Sequence, residues 1–142
     1  MEAKFIDINV DVGEGIGNES ILMPIISSCN IACGFHSGNP ALIEKTIKAA
    51  IENQVKIGAH PSYNDRENFG RISLKVESSK LMAELKYQIY AIKGMVESFG
   101  QQLNHVKPHG ALYNDMVANE QLAEQVVQLI KSIDPNLKII FD

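Results

Sequence analysis

The sequence lacks several features that mark common functional classes. It has no tryptophan, and its 13 basic residues are fewer than its 17 acidic ones, for a formal net charge of −4 at pH 7. The basic residues form no cluster, which argues against nucleic acid or an anionic membrane as the main partner. No apolar run reaches the ~20 residues that a membrane-spanning helix needs. Neither a P-loop pattern nor GxGxxG is present, so no nucleotide-binding loop is recognisable.

Cysteine is also scarce, and the N-terminal stretch is not continuously apolar. The two cysteines, Cys29 and Cys33, lack the CxxC spacing of redox and metal motifs. We predict two buried, reduced side chains rather than a disulfide. Asp7, Asp11 and Glu14 interrupt the N-terminal stretch, which therefore does not resemble a signal peptide. These absences predict a cytoplasmic protein.

What the sequence does contain is an alternation of strand and helix patterns. The predicted strands begin at residues 5, 28, 55, 103 and 137. The predicted helices between them cover residues 20–26, 40–53, 82–99 and 119–133. This order predicts an α/β fold of parallel β/α units, folded as a single domain over residues 1–142.

The last predicted strand, residues 137–141, is apolar and has no helix after it to cover it. An open apolar edge is a feature that native domains avoid. We therefore expect part of a (β/α) barrel, truncated after about five strands, or pairing with another copy in a homo-oligomer.

Three histidines each follow a predicted strand beside glycine or proline: His36, His60 and His109. The carboxyl ends of parallel strands meet at one edge of a sheet, where α/β folds place their sites. We predict that the three rings converge there. Two uses stay open: metal ligation together with Asp7 or Asp11, or general acid–base catalysis on a bound substrate.

Other polar groups accompany these histidines. Asp11 ends the first strand and Glu14 lies in the turn after it, where either could orient a histidine, act as a base or hold a substrate amine. Lys107, at the end of the fourth strand, would need a carboxylate partner or an anionic ligand in a barrel mouth. Asn9 and Asn30, on polar strand faces, would hydrogen-bond substrate or brace their neighbours.

The segment 61–73 is polar and rich in turn-forming residues, so we predict a long loop. Asp65 and Arg66 within it form either an exposed pair or part of a lid that closes over an anionic ligand. The sequence leaves both interpretations open.

Four motifs, in this order, resemble the LamB/YcsF family over nearly the whole chain. They are DINVDVGEG at 7–15, NIACGFHSG at 30–38, GAHPS at 58–62 running into DRENFGR at 65–71, and HVKPHGALYN at 105–114. The resemblance implies a deformed β/α barrel of the glycoside hydrolase/deacetylase type. The resemblance covers the N-terminal part of that barrel.

The resemblance also implies an activity. Characterised members of this family act in the bacterial 5-oxoprolinase, which opens 5-oxo-L-proline to L-glutamate with ATP as co-substrate and works through further subunits, B and C. The residues then expected to be catalytic are Asp11, His36, His60, His109 and Lys107. The residues expected to bind substrate are Asn9, Glu14, Asn30, Asp65 and Arg66. Use of a divalent cation is left open.

Two rival interpretations also stay open. One is a metal-dependent hydrolase acting on an amide, such as a sugar deacetylase, with Asp11 and the histidines on one divalent ion. The other is a non-catalytic module that binds partner subunits or a small ligand.

Overall fold

The structure of the chain, a computed structural model, describes residues 5–141. Its strands are β1 (Asn9–Val12), β2 (Ser28–Ala32), β3 (Lys56–His60), β4 (His105–Val106) and β5 (Lys138–Ile139). Its helices are α1 (Glu19–Leu22), α2 (Pro40–Glu52), α3 (Ser78–Ser98), α4 (Gly110–Ala118) and α5 (Glu120–Ile133).

The five strands form one parallel sheet in the order β1-β2-β3-β4-β5. This strictly sequential order is that of a β/α barrel wall, because a doubly wound sheet reverses its strand order part-way. Right-handed crossovers in one direction place the helices on one face of the sheet. The predicted parallel β/α fold is confirmed, and over residues 5–141 the sheet stays open rather than closing on itself.

The two faces of the sheet differ in chemistry, following the two-residue period of its strands. On the helix side, Cys29, Ile31, Ile57, Ala59 and Val106 are buried in one hydrophobic core with residues of α2, α3 and α5. Both cysteines are buried and free, as predicted. The opposite face carries the polar members of the same strands: Asn9, Asp11, Ser28, Asn30, His60 and His105.

Local capping fixes α2 and α5 where the sequence predicted them, whereas α3 begins at Ser78, before the predicted residue 82, and α1 ends at Leu22, before the predicted residue 26. Asn39 Oδ1 accepts a hydrogen bond from the Leu42 amide at 3.0 Å, with Pro40 in the first turn of α2. Asn119 caps α5 in the same way. The first strand is shorter than predicted, since residues 5–8 lie outside β1. None of the helices in the described residues is both long and apolar enough to span a bilayer.

Helix α4 was not predicted from the sequence. It begins at a glycine, Gly110, and no side chain caps its amino end. Its apolar residues Ala111, Leu112 and Met116 are nevertheless buried against the core. Tertiary packing rather than local propensity therefore stabilises this short helix.

The polar face of the sheet holds a hydrogen-bond network centred on Asn30, which is fully buried. Its Nδ2 donates to Asn9 Oδ1 at 2.6 Å and to Asp11 Oδ1 at 2.8 Å. Its Oδ1 accepts from Asn9 Nδ2 at 3.2 Å and from His105 Nε2 at 2.7 Å. These four bonds use both N–H groups and both lone pairs of the amide. The network ties β1, β2 and β4 together beneath the carboxyl ends of the strands.

Gly58 is the position where this network leaves no room for a side chain. It faces His105 across the β3–β4 pair, and a Cβ built on it would lie 2.1 Å from His105 Nε2. The ring cannot move aside without breaking its bond to Asn30. We expect Gly58→Ala to lower the free energy of unfolding by about 1–3 kcal/mol or more, because overpacking forces the sheet apart.

Urea unfolding followed by circular dichroism measures this effect, and Gly94→Ala is the matched control. Gly94 lies on the exposed side of α3 with no atom within 4 Å of a built Cβ. The same substitution there should raise the free energy of unfolding by about 0.5–1 kcal/mol, because glycine weakens a helix interior. Equal effects at the two positions would contradict the packing described for Gly58.

Candidate active site

Three histidine rings meet at the carboxyl edge of the sheet. His36 lies in the loop after β2, His60 is the last residue of β3, and His109 directly precedes α4. The rings of His36 and His109 are stacked with centroids 3.7 Å apart, and His60 lies edge-on, 4.8 Å from His109 and 5.5 Å from His36. The predicted convergence of these three residues is therefore present in the structure.

Each ring is fixed from outside the cluster by a hydrogen-bond acceptor. His60 Nδ1 donates to the Lys107 carbonyl at 2.6 Å, and His109 Nε2 donates to the Phe69 carbonyl at 2.7 Å. His36 Nδ1 lies 3.0 Å from Ser62 Oγ, whose own hydrogen is donated to the Tyr63 carbonyl. Ser62 must therefore accept from His36. In a neutral imidazole, the other nitrogen of each ring then carries a lone pair.

Those lone pairs all point into one small volume that also contains a carboxylate. His36 Nε2 lies 2.9 Å from Glu14 Oε1, and His109 Nδ1 lies 3.0 Å from His60 Nε2 and 3.9 Å from the same Glu14 oxygen. One ligand atom from each of the four residues lies within 4.8 Å of the others. Neighbouring acceptors repel one another unless a proton or a cation lies between them.

Burial favours the neutral form of His36 and His109. Desolvation lowers the pKa of His36, against the opposing hydrogen bond to Glu14, and it lowers the pKa of His109 to about 4. His36, His60 and His109 are all buried. His36 and His109 therefore offer unprotonated nitrogens at neutral pH, as metal ligands require.

A second charged pair borders the cluster. Asp11 Oδ1 lies 3.4 Å from Lys107 Nζ, and Asp11 Oδ2 lies 3.4 Å from His60 Nε2. Burial alone would raise the pKa of Asp11, but the nearby His60 ring, the hydrogen bond from Asn30 and the charge of Lys107 together outweigh it and lower that pKa far below its ordinary value. Asp11 is thus an ionised carboxylate at the mouth of the barrel wall, and Lys107 has the carboxylate partner that its position requires.

The loop after β3 covers the histidines. Phe69 has a left-handed backbone, with φ of 54°, and its ring lies edge-on to His36 and His109 at 5.1 and 5.3 Å. This conformation, uncommon for a bulky residue, aims the Phe69 carbonyl at His109. Gly70 follows with φ of 64°, and a Cβ there would lie 2.9 Å from His36 Cβ. The loop is thus closely fitted to the rings it covers.

The remaining candidate residues have different surroundings. Asn9 and Asn30 brace β1 and β2 through the network described above. Arg66 Nη2 donates to the Gly34 and Gly38 carbonyls, both at 2.6 Å, and so fastens the covering loop to the loop after β2. Asp65 Oδ1 accepts from the amide and side chain of Asn68 within the loop. The roles assigned to these residues from the sequence stay predictions.

The carboxylate that joins the three rings is Glu14. In one of the two uses that the sequence analysis left open, Asp7 or Asp11 would ligate a metal together with the histidines. In the structure, Asp7 Oδ1 accepts from Ser28 Oγ, and Asp11 pairs with Lys107 and borders His60 alone. The left-handed glycines Gly13 and Gly15 turn the chain after β1 so that Glu14 reaches the cluster.

Several residues that the sequence analysis did not select position the site. Gln88 of α3 is fully buried, accepts from the Ser62 amide and donates to the Ser62 carbonyl, each at 2.9 Å, and thereby holds the hydroxyl that accepts from His36. Tyr63 donates to Asp115 at 2.7 Å and ties the loop to α4. The sequence did contain a signal for Gln88, because it is a polar residue at a position that the helical period of α3 places on the buried side.

An open cavity of about 490 Å³ lies beside the cluster. Its lining includes Asp11, His60, Arg71, Lys107, His109 and Asn114. It gives a small molecule access to the Asp11–Lys107 pair and to two of the three histidines. The histidine cluster therefore lies next to solvent rather than in a sealed core.

Comparison with known proteins identifies the family. A sequence model of the LamB/YcsF family matches residues 6–141. The chain belongs to the LamB/YcsF family. All four motifs that carried the resemblance lie within the matched range.

Curated relatives of this LamB/YcsF chain include the A subunit of 5-oxoprolinase from two strains of Haemophilus influenzae, PittEE and 86-028NP. Each is 44% identical over 137 residues, which are 96% of this chain and 56% of the relative. The chain thus spans little more than half the length of these relatives.

Solved structures agree on the fold. The lactam utilization protein of Thermus thermophilus is 35% identical with a TM-score of 0.91, over 94% of this chain and 56% of that protein. A putative cellobiose-phosphate cleavage protein of Enterococcus faecalis V583 has a TM-score of 0.64 at 16% identity, over 94% of this chain and 57% of its own, which is a likeness of fold alone.

The neutral histidines of this LamB/YcsF chain predict a loss of stability in weak acid. Burial lowers the pKa of His105 to about 4, from an ordinary 6.5. Between these values the unfolded chain binds a proton that the folded chain does not, so stability falls as the pH drops from about 6.5 to 4. We expect His105 to contribute up to about 1.4 kcal/mol per pH unit in this window.

Urea unfolding of the chain at pH 7, 6 and 5 in the presence of a chelator tests this slope. His105→Gln is the matched variant, because its amide can still donate to Asn30 but does not titrate. Its stability should fall less steeply over the same range. A slope unchanged by the substitution would contradict the assignment to His105.

Proposed function

We propose that this chain is part of the A subunit of a 5-oxoprolinase, which opens the lactam ring of 5-oxo-L-proline to L-glutamate with hydrolysis of ATP. Membership of the LamB/YcsF family and the 44% identity to proteins of that name support this assignment. The observation that carries it is the convergence of three imidazoles, Glu14 and the Asp11–Lys107 pair beside an open cavity.

The reaction explains why such a site is needed. A lactam is a resonance-stabilised amide, and water opens it slowly at neutral pH. Transfer of the γ-phosphoryl group of ATP to the lactam oxygen releases ADP and makes the ring carbon electrophilic. One water then adds to that carbon and the C–N bond breaks as the nitrogen takes a proton. A second water releases phosphate from the resulting acyl phosphate, so two waters are consumed for each glutamate, ADP and phosphate formed.

The residues of this chain suit the proton transfers in that sequence. His60 Nε2 carries a lone pair and lies at the border between the cluster and the cavity, where it can accept a proton from the attacking water. Ionised Asp11, 3.4 Å away, would stabilise the imidazolium that forms. Lys107 neutralises Asp11 at rest and can stabilise negative charge that develops on the substrate.

A divalent cation fits the same cluster and belongs to the proposal. Glu14, His36 and His109 would hold it, since one carboxylate oxygen and two ring nitrogens lie within 4.8 Å of one another, and His60 then keeps its Nε2 for proton transfer. Their outer hydrogen bonds orient the rings, as the outer shell of a metal site does. When bound, such an ion supplies Lewis-acid polarisation of an oxygen atom.

The proposal assigns the remaining parts of the reaction to partners. No nucleotide-binding loop is recognisable in the sequence, so we assign ATP binding partly or wholly to the other subunits, B and C. A cytoplasmic location, where ATP is supplied and thiols such as Cys29 and Cys33 stay reduced, is part of the same proposal. Assembly with a second copy of this chain stays a prediction.

A metal-dependent amide hydrolase without ATP is the second candidate. The three-histidine, one-carboxylate cluster favours it, because such donor sets also occur in hydrolases that need no phosphoryl transfer. The two candidates differ in whether ring opening depends on ATP.

The metal part of the proposal predicts one bound ion per chain. Titration of the complete, chelator-treated protein with Co²⁺ should give a saturable visible absorption spectrum at one equivalent. Glu14→Gln and His36→Ala should each weaken binding about 10- to 100-fold or more, because each removes one ligand. Glu44→Gln, on the exposed side of α2, is the control and should leave the titration unchanged. A titration without saturation would contradict the metal site.

The catalytic part of the proposal predicts ATP-dependent release of glutamate by the complete protein once it is assembled with its partners. His60→Ala should lower the rate about 100-fold or more while assembly is retained, because it removes the proposed base. Lys86→Met, on the exposed side of α3, is the control. Unchanged turnover in assembled His60→Ala would favour a non-catalytic module, and ring opening that needs no ATP would favour the metal-dependent hydrolase.

A further inference from the structure

We propose that Arg71 binds the carboxylate of the lactam substrate and so makes the site selective for amino-acid lactams. This inference rests on the proposed function, and it assigns a role to a residue that the catalytic proposal does not use. Arg71 follows the covering loop and lines the cavity together with Asp11, His60 and Lys107.

The charges at this edge of the sheet leave Arg71 as the cation available to a ligand. Lys107 is already paired with Asp11, and Arg66 is bound to two main-chain carbonyls. Within residues 5–141, the guanidinium of Arg71 forms no ion pair and no hydrogen bond, and its side chain is exposed. An anionic substrate entering the cavity therefore meets one positive group that is not neutralised by the protein.

The position of Arg71 is nevertheless well defined. Its Cζ lies 5.5 Å from the centroid of the Phe69 ring, within the range of a cation–π contact. Its amide donates to the Asn68 carbonyl at 3.0 Å, and the Ala111 amide donates to the neighbouring Gly70 carbonyl at 3.0 Å. These contacts hold the main chain on both sides of Phe69 and limit the positions open to the guanidinium. A ligand group would therefore find it partly pre-organised.

The chemistry of the substrate matches this arrangement. 5-Oxoproline carries one charge at neutral pH, its carboxylate, on a ring otherwise as neutral as 2-pyrrolidinone. The planar guanidinium presents paired N–H donors that fit a carboxylate in a bidentate contact. A carboxylate bound by Arg71 would place the lactam within the same cavity as His60 and Lys107. Arg71 would then orient the ring, and His60 would perform the proton transfer.

Equilibrium binding to the complete protein tests the inference without requiring turnover. The probes are 5-oxoproline and its neutral analogue 5-oxoprolinamide, titrated by calorimetry. The wild-type protein should prefer the acid by about 100-fold, and Arg71→Met should abolish that preference while leaving the affinity for the amide unchanged. Arg71→Lys should recover part of the preference, because it keeps the charge but not the paired donors. Lys86→Met is the control and should keep the full preference.

The turnover assay separates the alternatives. In the assembled enzyme, Arg71→Met should raise the KM for 5-oxoproline with little change in the KM for ATP. An equal loss of affinity for the acid and the amide would show that Arg71 maintains the shape of the site and does not bind the carboxylate. A raised KM for ATP alone would assign the guanidinium to a phosphate. Either result, or a wild-type protein that does not distinguish acid from amide, overturns the inference.

A protein that binds the acid selectively but releases no glutamate would overturn the proposed function and leave this inference standing.

Discussion

Three imidazoles donate their hydrogens outward and direct their lone pairs inward, and the rest of the site depends on this constraint. Lys107, Phe69 and Ser62 accept the outward bonds, so the orientation of each ring is determined before any ligand arrives. Placing hydrogen-bond acceptors against one another is unfavourable, and the packing of the surrounding fold compensates for it. A cluster of this kind is therefore prepared to receive positive charge, whether as a proton or as a metal ion.

The sheet below supplies the rigidity that this arrangement needs. Asn30 uses its whole hydrogen-bonding capacity to join β1, β2 and β4, and Gly58 leaves the space that the His105 ring fills. Asp11 belongs both to this network and to the charged pair at the mouth. The polar interior and the functional edge are thus one connected structure.

The parts of the fold that depend on local sequence could be predicted, whereas those that depend on distant contacts could not. The positions of His36, His60 and His109 followed from strand ends, and Asn39 with Pro40 marked the start of α2. Helix α4 has no such signal, since its burial stabilises it.

The sequence analysis named Glu14 as a residue that could orient a histidine, but it did not group Glu14 with the three rings as a metal ligand, for a similar reason. The backbone conformation at the left-handed glycines on either side of Glu14 determines which carboxylate reaches the rings. The spacing of residues in the sequence does not reveal that conformation.

The outer supports of two of the three rings are main-chain carbonyls, those of Lys107 and Phe69. Replacing either side chain leaves the carbonyl in place, so a mutational scan cannot delete these supports directly. Substitutions should instead be most damaging at Gly70 and Gly110, which set the backbone conformation there. Their positive φ values and close contacts exclude a side chain. A survey of natural variation would then find these two small residues as restricted as the histidines, although neither carries a functional group.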